Sequence, residues 1–336
     1  MSVLIIAEAG VNHNGSLERA LAMVDAAVDA GADIIKFQTF QAHLVVSQFA
    51  QKADYQKAST GADESQLEMI RKLQLTYEDH QKIADYCVTK NIEYLSTPFD
   101  FQSLDEVLSL DISTIKVPSG EITHYRLLKA IAEKNKDVIL STGMSELSEI
   151  QDALEVLAPV VANGKKITVL HCNTEYPTPY EDVNLRVIPE LRNILKCDIG
   201  YSDHTPGIVV PIAAVALGAT LIEKHFTLDK NLPGPDHQAS LDPDELTQMV
   251  KGIRNIEKAL GTSVKSITPS EKKNIHIARK YLVASKPISV GDFFDEQNVT
   301  AKRIGVQGIN PMKWPVIVGT RSPHNFSVDE PIKLDD

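Results

Sequence analysis

Two histidines, His204 in "GYSDHTPG" and His225 in "IEKHFTLD", each close a short apolar run, one strand-and-helix repeat apart. A neutral imidazole is the commonest side-chain ligand for a divalent metal. One histidine in such a place would read as structural. A pair at this spacing falls on adjacent strands at one height, where both rings can share an ion and leave its other positions to substrate and water. Lys36 in "DIIKFQT" and Lys116 in "STIKVPSG" stand inside runs that read as buried strands. An ammonium there is costly unless it meets an anion. Thr97, Ser119, Ser141 and Ser202 follow similar runs, and singly each reads as a turn hydroxyl satisfied by nearby backbone. Together with two lysines they describe a pocket for a small dianion such as a phosphate ester, with hydroxyls donating and ammoniums neutralising. The chain has no G-x-x-x-x-G-K-[ST] and no G-x-G-x-x-G, which argues against a nucleotide phosphate. Glu8, and Asp236 in "LPGPDH", supply carboxylates able to orient a metal-bound water or accept its proton. His13 and His237 are further candidate ligands that read equally well as hydrogen-bonded loop residues. Asp203, beside His204, is assigned to hydrogen-bond support of that imidazole.

These residues need a scaffold that delivers them to one place. Eight runs rich in Val and Ile supply candidate strands: "VLIIAEAG", "DIIKFQT", "IEYLSTPF", "STIKVPSG", "DVILSTG", "ITVLHCN", "CDIGYSD" and "TLIEKHF". Between most of them lie segments of helical period, such as "SLERALAMVDAAVDAGA", with Ser16 as N-cap and Gly31 just past the C-terminus. Apolar strands alternating with helices mean a parallel sheet covered on its faces. Eight such units predict an α/β fold, a (β/α)8 TIM barrel, with a doubly wound open sheet as the alternative. In a barrel the chemistry sits at the C-terminal ends of the strands. Those ends carry Glu8; Lys36 and Gln38; Thr97; Lys116 and Ser119; Ser141; Asn173, Thr174 and Tyr176; Ser202, Asp203 and His204; and His225. The segment at about residues 40–75 is too long for a plain loop and reads as an active-site flap with a helix in "DESQLEMIRKL". Residues 1–261 form the expected barrel and 262–280 a polar linker with helical content. Residues 281–336 form a small β-rich module, too small to be more than marginal alone.

The bulk numbers exclude several classes of function. A formal charge of −11 over 336 residues is wrong for a general nucleic-acid surface. Cys87, Cys172 and Cys197 form no C-x-x-C pair and read as reduced thiols of a cytosolic protein. "VLIIA" is too short for a membrane span and meets Glu8 at once, so a cytoplasmic location with no membrane contact is expected.

In order along the chain, "IAEAGVNHNGS", "IKFQT", "LSTPFD", "IKVPSGE", "LSTGM", "LHCNTEYPTPYEDVNL", "GYSDHTPG", "IEKHFTLD" and "GPDHQASL" resemble the bacterial sialic acid synthase family. These enzymes condense phosphoenolpyruvate (PEP) with an acetamido sugar to make nine-carbon sugar acids. The terminal "KRIGVQGI" is similar to their antifreeze-like (SAF) domain, so the resemblance covers the whole chain. It implies a domain-swapped homodimer and a divalent metal on His204 and His225, Mn2+ in the family, with Mg2+ or Co2+ as alternatives. PEP would be bound by Lys36, Thr97, Lys116, Ser119, Ser141 and Ser202. Glu8 and Asp236 would manage the metal-bound water, Gln38 and Tyr176 would line the sugar site, and Arg303 of the partner subunit would contact the acyl-amino group.

Two positions depart from the family pattern. Ile304 stands where "KRPG" has proline, which leaves the Arg303 loop less rigid, and Thr174 replaces an asparagine that helps to hold phosphate. The flap, "NTEYP" and "GPDHQASL" resemble the N,N′-diacetyllegionaminic acid branch, whose acceptor is 2,4-diacetamido-2,4,6-trideoxymannose. They are less like the branches making N-acetylneuraminic acid, from N-acetylmannosamine, or pseudaminic acid. A metal-dependent lyase or hydrolase on the same barrel stays open, since fold does not fix function. A carbohydrate-binding protein with an inactive barrel would require a missing catalytic residue, and none is missing.

Overall fold

The structure is a computed structural model that describes residues 2–60 and 63–335. The chain divides into two compact units, Met1–Gly261 and Thr262–Asp336. The first holds eight parallel strands: β1 (Leu4–Gly10), β2 (Ile34–Thr39), β3 (Glu93–Pro98), β4 (Thr114–Val117), β5 (Asp137–Ser141), β6 (Ile167–Cys172), β7 (Asp198–Asp203) and β8 (Leu221–His225). Their order is β3-β2-β1-β8-β7-β6-β5-β4, so the first strand pairs with the last, and β3 lies beside β4 to close the ring. An open doubly wound sheet has no such closure. The barrel is the fold.

Strand alternation builds the interior in layers. Ile6, Ile34, Leu95, Ile139, Leu170 and Leu221 form one buried apolar cluster inside the ring. At the matching point of β7 stands Gly200, where a Cβ would come within 2.5 Å of the Leu170 side chain and 2.6 Å of the Leu221 carbonyl oxygen. No larger residue fits that layer. Two residues further along the six strands, on the same face, come Glu8, Lys36, Thr97, Ser141, Cys172 and Glu223. An apolar floor therefore carries a polar storey above it. The opposite strand faces pack with the helices into the main core, which includes Ile5, Ala7, Ile35, Phe37, Ile115 and Ile222.

Helix Leu17–Ala30 starts and stops where its sequence says. Ser16 accepts a hydrogen bond from the Arg19 amide, and Gly31 ends it with φ 79°. The flap contains three helices, Ala42–Val45, Asp54–Thr60 and Gln66–Leu73, where the sequence had suggested one. The last opens with a capping box between Ser65 and Glu68.

The second unit begins with two one-turn helices, Pro269–Lys272 and Ile275–Ala278, in an exposed polar stretch. Antiparallel strands β9 (Tyr281–Ala284) and β10 (Val299–Lys302) follow, over a small core that includes Leu282, Ile288, Phe294, Phe326 and Ile332.

Candidate active site

A cavity of about 310 Å³ opens at the C-terminal ends of the barrel strands. The whole polar storey lines it: Glu8, Lys36, Thr97, Ser141, Cys172 and Glu223, joined by Lys116 from β4 and Ser202 from β7. Register sets the neighbours. Glu8 lies between Lys36 on β2 and His225 on β8, and Ser202 lies beside Glu223. The Lys36 ammonium is 3.0 Å from Glu8 Oε1 and 3.6 Å from Glu223 Oε1, and it donates to Thr97 Oγ1 at 3.2 Å. Lys116 Nζ donates to Ser141 Oγ at 2.8 Å and lies 3.4 Å from Glu223 Oε1, which also accepts from the Ser202 hydroxyl at 3.1 Å. Gln38 Nε2 donates to Glu8 Oε1 at 3.3 Å.

The layer is buried, so its charges set one another. Burial raises the Glu8 carboxyl to about 7, with Lys36 pulling in the other direction. Burial would raise Glu223 too, but the two ammoniums and the Ser202 hydrogen bond outweigh it and hold that carboxyl at about 2. Burial depresses Lys116, whereas Glu223 and Glu8 together overcome it at Lys36 and keep that ammonium charged. Asp236 also lines the cavity, and burial raises its carboxyl to about 6.

His204 and His225 face each other across the same mouth with ring centroids 5.3 Å apart. The Asn173 carbonyl oxygen can only accept, so His204 Nδ1 carries a proton donated to it, and Nε2 is left with a bare lone pair. The Tyr176 hydroxyl donates to that Nε2 at 2.9 Å, and its ring stacks on His204 at 4.0 Å. Burial drives the His204 imidazolium down to about 4 and His225 well below its ordinary value, so both rings are neutral. His225 Nδ1, Glu8 Oε2 and Glu223 Oε2 are buried without a hydrogen-bond partner. Two neutral imidazoles beside orphaned polar atoms fit a divalent cation. Among the described residues no cluster of three His, Cys, Asp or Glu side chains is arranged as a metal cage.

Several expected residues are in the site and some are not. Ser119, Thr174, Tyr176, Gln38 and Asp236 line the cavity with the storey residues. Asn173 contributes its carbonyl oxygen to His204, whereas its side-chain Oδ1 accepts from the Glu175 amide at 2.7 Å. His13 accepts from the Gly15 amide and packs against Phe37, and His237 bonds Thr227 and Asn14; both are loop residues. Asp203 does not support the His204 imidazole. Alternation turns it to the outer face of β7, where it accepts from Lys224 Nζ at 2.6 Å, the Tyr201 hydroxyl at 2.9 Å and the Thr205 amide at 3.1 Å. Arg303 is exposed just after β10 in the second unit. Glu223 is absent from the expected set. The signal for it is alternation in "LIEKH", which puts Glu223 on the face of His225 and Lys224 on the other.

The NeuB family model matches residues 23–265. The chain belongs to the NeuB family. The SAF domain model matches residues 279–336 of this NeuB-family chain. It is 50% identical to the N,N′-diacetyllegionaminic acid synthase of Campylobacter jejuni over 98% of both chains. It is 41% identical to the synthase of the same name from Legionella pneumophila, over 97% of this chain and 92% of that one. Among solved structures it matches the N-acetylneuraminic acid synthetase of Leptospira borgpetersenii in complex with citrate. The TM-score there is 0.72 at 34% identity, covering 82% of this chain and 90% of that one. No helix among the described residues is long and apolar enough to cross a membrane.

Proposed function

We propose that this NeuB-family chain condenses PEP with open-chain 2,4-diacetamido-2,4,6-trideoxymannose, releasing inorganic phosphate and N,N′-diacetyllegionaminate. The observation that carries the reading is the buried Lys36, Lys116, Glu8 and Glu223 layer beside His204 and His225, in a chain with half its residues in common with a synthase of that name. Lys36 and Lys116 take the phosphate and carboxylate of PEP, with Thr97, Ser119, Ser141 and Ser202 donating hydrogen bonds. A divalent metal on His204 and His225 would polarise the sugar aldehyde oxygen, a task open to Mn2+, Mg2+ or Co2+.

C3 of PEP attacks the aldehyde carbon with the PEP π pair, the aldehyde oxygen takes up a proton and becomes a hydroxyl, and positive charge develops at C2. Glu8 lies in the layer with its carboxyl poised near neutrality, so it can take the proton of the water that adds to C2. Phosphate leaves with C–O cleavage, and the two ammoniums stabilise its charge. Loss of one such donor lowers the rate on the order of 10²–10³-fold. Asp236, raised to about 6, lines the same cavity and can hold a second exchangeable proton. Arg303 would serve the acetamido group across a domain-swapped homodimer; Arg303→Ala is expected to dimerise normally yet lose turnover.

The test is phosphate release from PEP with metal and each acceptor in turn. Turnover with the diacetamido sugar and weak turnover with N-acetylmannosamine is the expected result. The reading is lost if no acetamido sugar releases phosphate from PEP, and turnover without PEP would redirect it to a lyase.

A further inference from the structure

The cavity lining has two unlike parts. Besides the polar storey, it includes an apolar wall that contains Val11, Phe40, Met69, Ile70, Leu73 and Phe99. Val11, Phe40 and Leu73 are buried against one another, with Ile70 and Phe99 packed on them, and the Phe40 and Phe99 rings meet edge to face at 6.3 Å. Met69 and Leu73 are one helical turn apart on the flap helix Gln66–Leu73, so they share a face. None of the six side chains carries a hydrogen-bonding group for a sugar hydroxyl. Among the described flap residues that line the cavity Gln56 alone is polar, and its Oε1 accepts from the Ala53 amide at 3.0 Å.

The wall is also held in place. Gly15 has φ 71°, and a Cβ on it would come within 2.6 Å of the Lys72 carbonyl oxygen, so the flap helix docks directly on backbone of the β1 loop. Gln74 Oε1 accepts from the Ala42 amide at 3.2 Å, and its Nε2 donates to Gln41 Oε1 at 3.0 Å. A flap fixed at both ends cannot readily turn to offer a polar group.

We propose that this apolar wall selects acceptors that carry a methyl group at C6 in place of a hydroxymethyl. The inference rests on the reading that the chain condenses PEP with a diacetamido sugar. A methyl group loses nothing on contact with the wall and gains dispersion contacts. A hydroxyl against those six side chains gives up its water partners and finds no replacement on them. An apolar pocket rejects an added hydroxyl by about 10²-fold.

The experiment compares kcat/KM for 2,4-diacetamido-2,4,6-trideoxymannose and for its 6-hydroxy counterpart, which differs in that one group. Wild type is expected to favour the 6-deoxy sugar by about 10²-fold. Met69→Gln and Ile70→Asn, each placing an amide on the wall, should cut that ratio at least tenfold without changing the KM for PEP, and Met69→Leu should keep it. Two polar positions are used so that misfolding of one variant leaves the other to decide. Equal use of both sugars by wild type overturns the proposal, as does an unchanged ratio in a folded polar variant. Use of neither sugar by wild type overturns the reading of the reaction itself, and the two failures are distinct.

Discussion

Replacing Glu223 by Gln keeps the volume and leaves an acceptor for Ser202 but removes the one carboxylate that both lysines share. At 3.4 and 3.6 Å, and an effective dielectric of about 20, each ammonium loses about 5 kcal/mol of attraction. Desolvation of the carboxylate itself costs several kcal/mol, which returns on replacement, and breaking buried pairs of this kind destabilises by about 3–5 kcal/mol net. Lys116, already depressed by burial, can shed its proton in the variant and so limit the cost. A bound anion should then substitute for the missing charge. Urea unfolding at pH 7.5 is expected to show Glu223→Gln less stable by about 3–5 kcal/mol. A fixed concentration of inorganic phosphate should return more stability to the variant than it adds to wild type. An extra 1.4 kcal/mol would correspond to about tenfold tighter binding. The reasoning fails if the variant lies within about 1 kcal/mol of wild type, below the range for a broken buried pair, or if phosphate stabilises both proteins equally.

Lys224→Met strands Asp203, fully buried, without its ammonium and should cost about 3–5 kcal/mol; adding Asp203→Asn should recover at least half, and a double variant no more stable than the single would contradict this. Burial holds His80 down to about 4, so it is neutral in the folded protein; its contribution to stability is complete above pH 6.5 and is lost as pH falls from there through about 4. The loss amounts to about 3 kcal/mol, and His80→Gln should flatten the stability profile in that window; identical profiles for both proteins would refute the assignment. Chelation should abolish turnover, and His225→Ala should show no saturable Mn2+ binding by paramagnetic resonance up to millimolar metal; full turnover of wild type in excess chelator would remove the metal from the reaction.

The barrel was legible because its strands are near-continuous apolar runs, and the polar residues that interrupt them fall at one end. What the runs conceal is which face each residue takes. Asp203 follows Ser202 and precedes His204, and closeness along the chain suggested closeness in space. Alternation sends it instead to the outer face, into a fully buried pair with Lys224. Glu223 suffers the converse. Flanked by Ile222 and Lys224, it passes for strand filler until it is aligned by twos with Leu221 and His225. Asn173 needed the local turn, since its side chain is engaged by the Glu175 amide. Of the flap helices, Gln66–Leu73 was legible in "DESQLEMIRKL", whereas Ala42–Val45 and Asp54–Thr60, of four and seven residues, are too short to show a helical period.

Counting charges by face explains how a protein of net charge −11 can receive an anion. The storey holds two lysines and two carboxylates, yet the carboxylates are not equivalent. Glu223 touches both ammoniums and stays ionised, so it prevents Lys36 and Lys116 from repelling one another in the empty pocket. Glu8 meets Lys36 alone, and burial leaves its carboxyl balanced near pH 7. With Glu8 protonated and both lysines charged, the layer carries one net positive charge and attracts an anion. With Glu8 ionised, it is neutral and holds a base beside the bound ligand. One proton on Glu8 therefore separates an anion-receiving state from a base-bearing one, and Glu223 makes both states tolerable by keeping the lysines apart electrostatically.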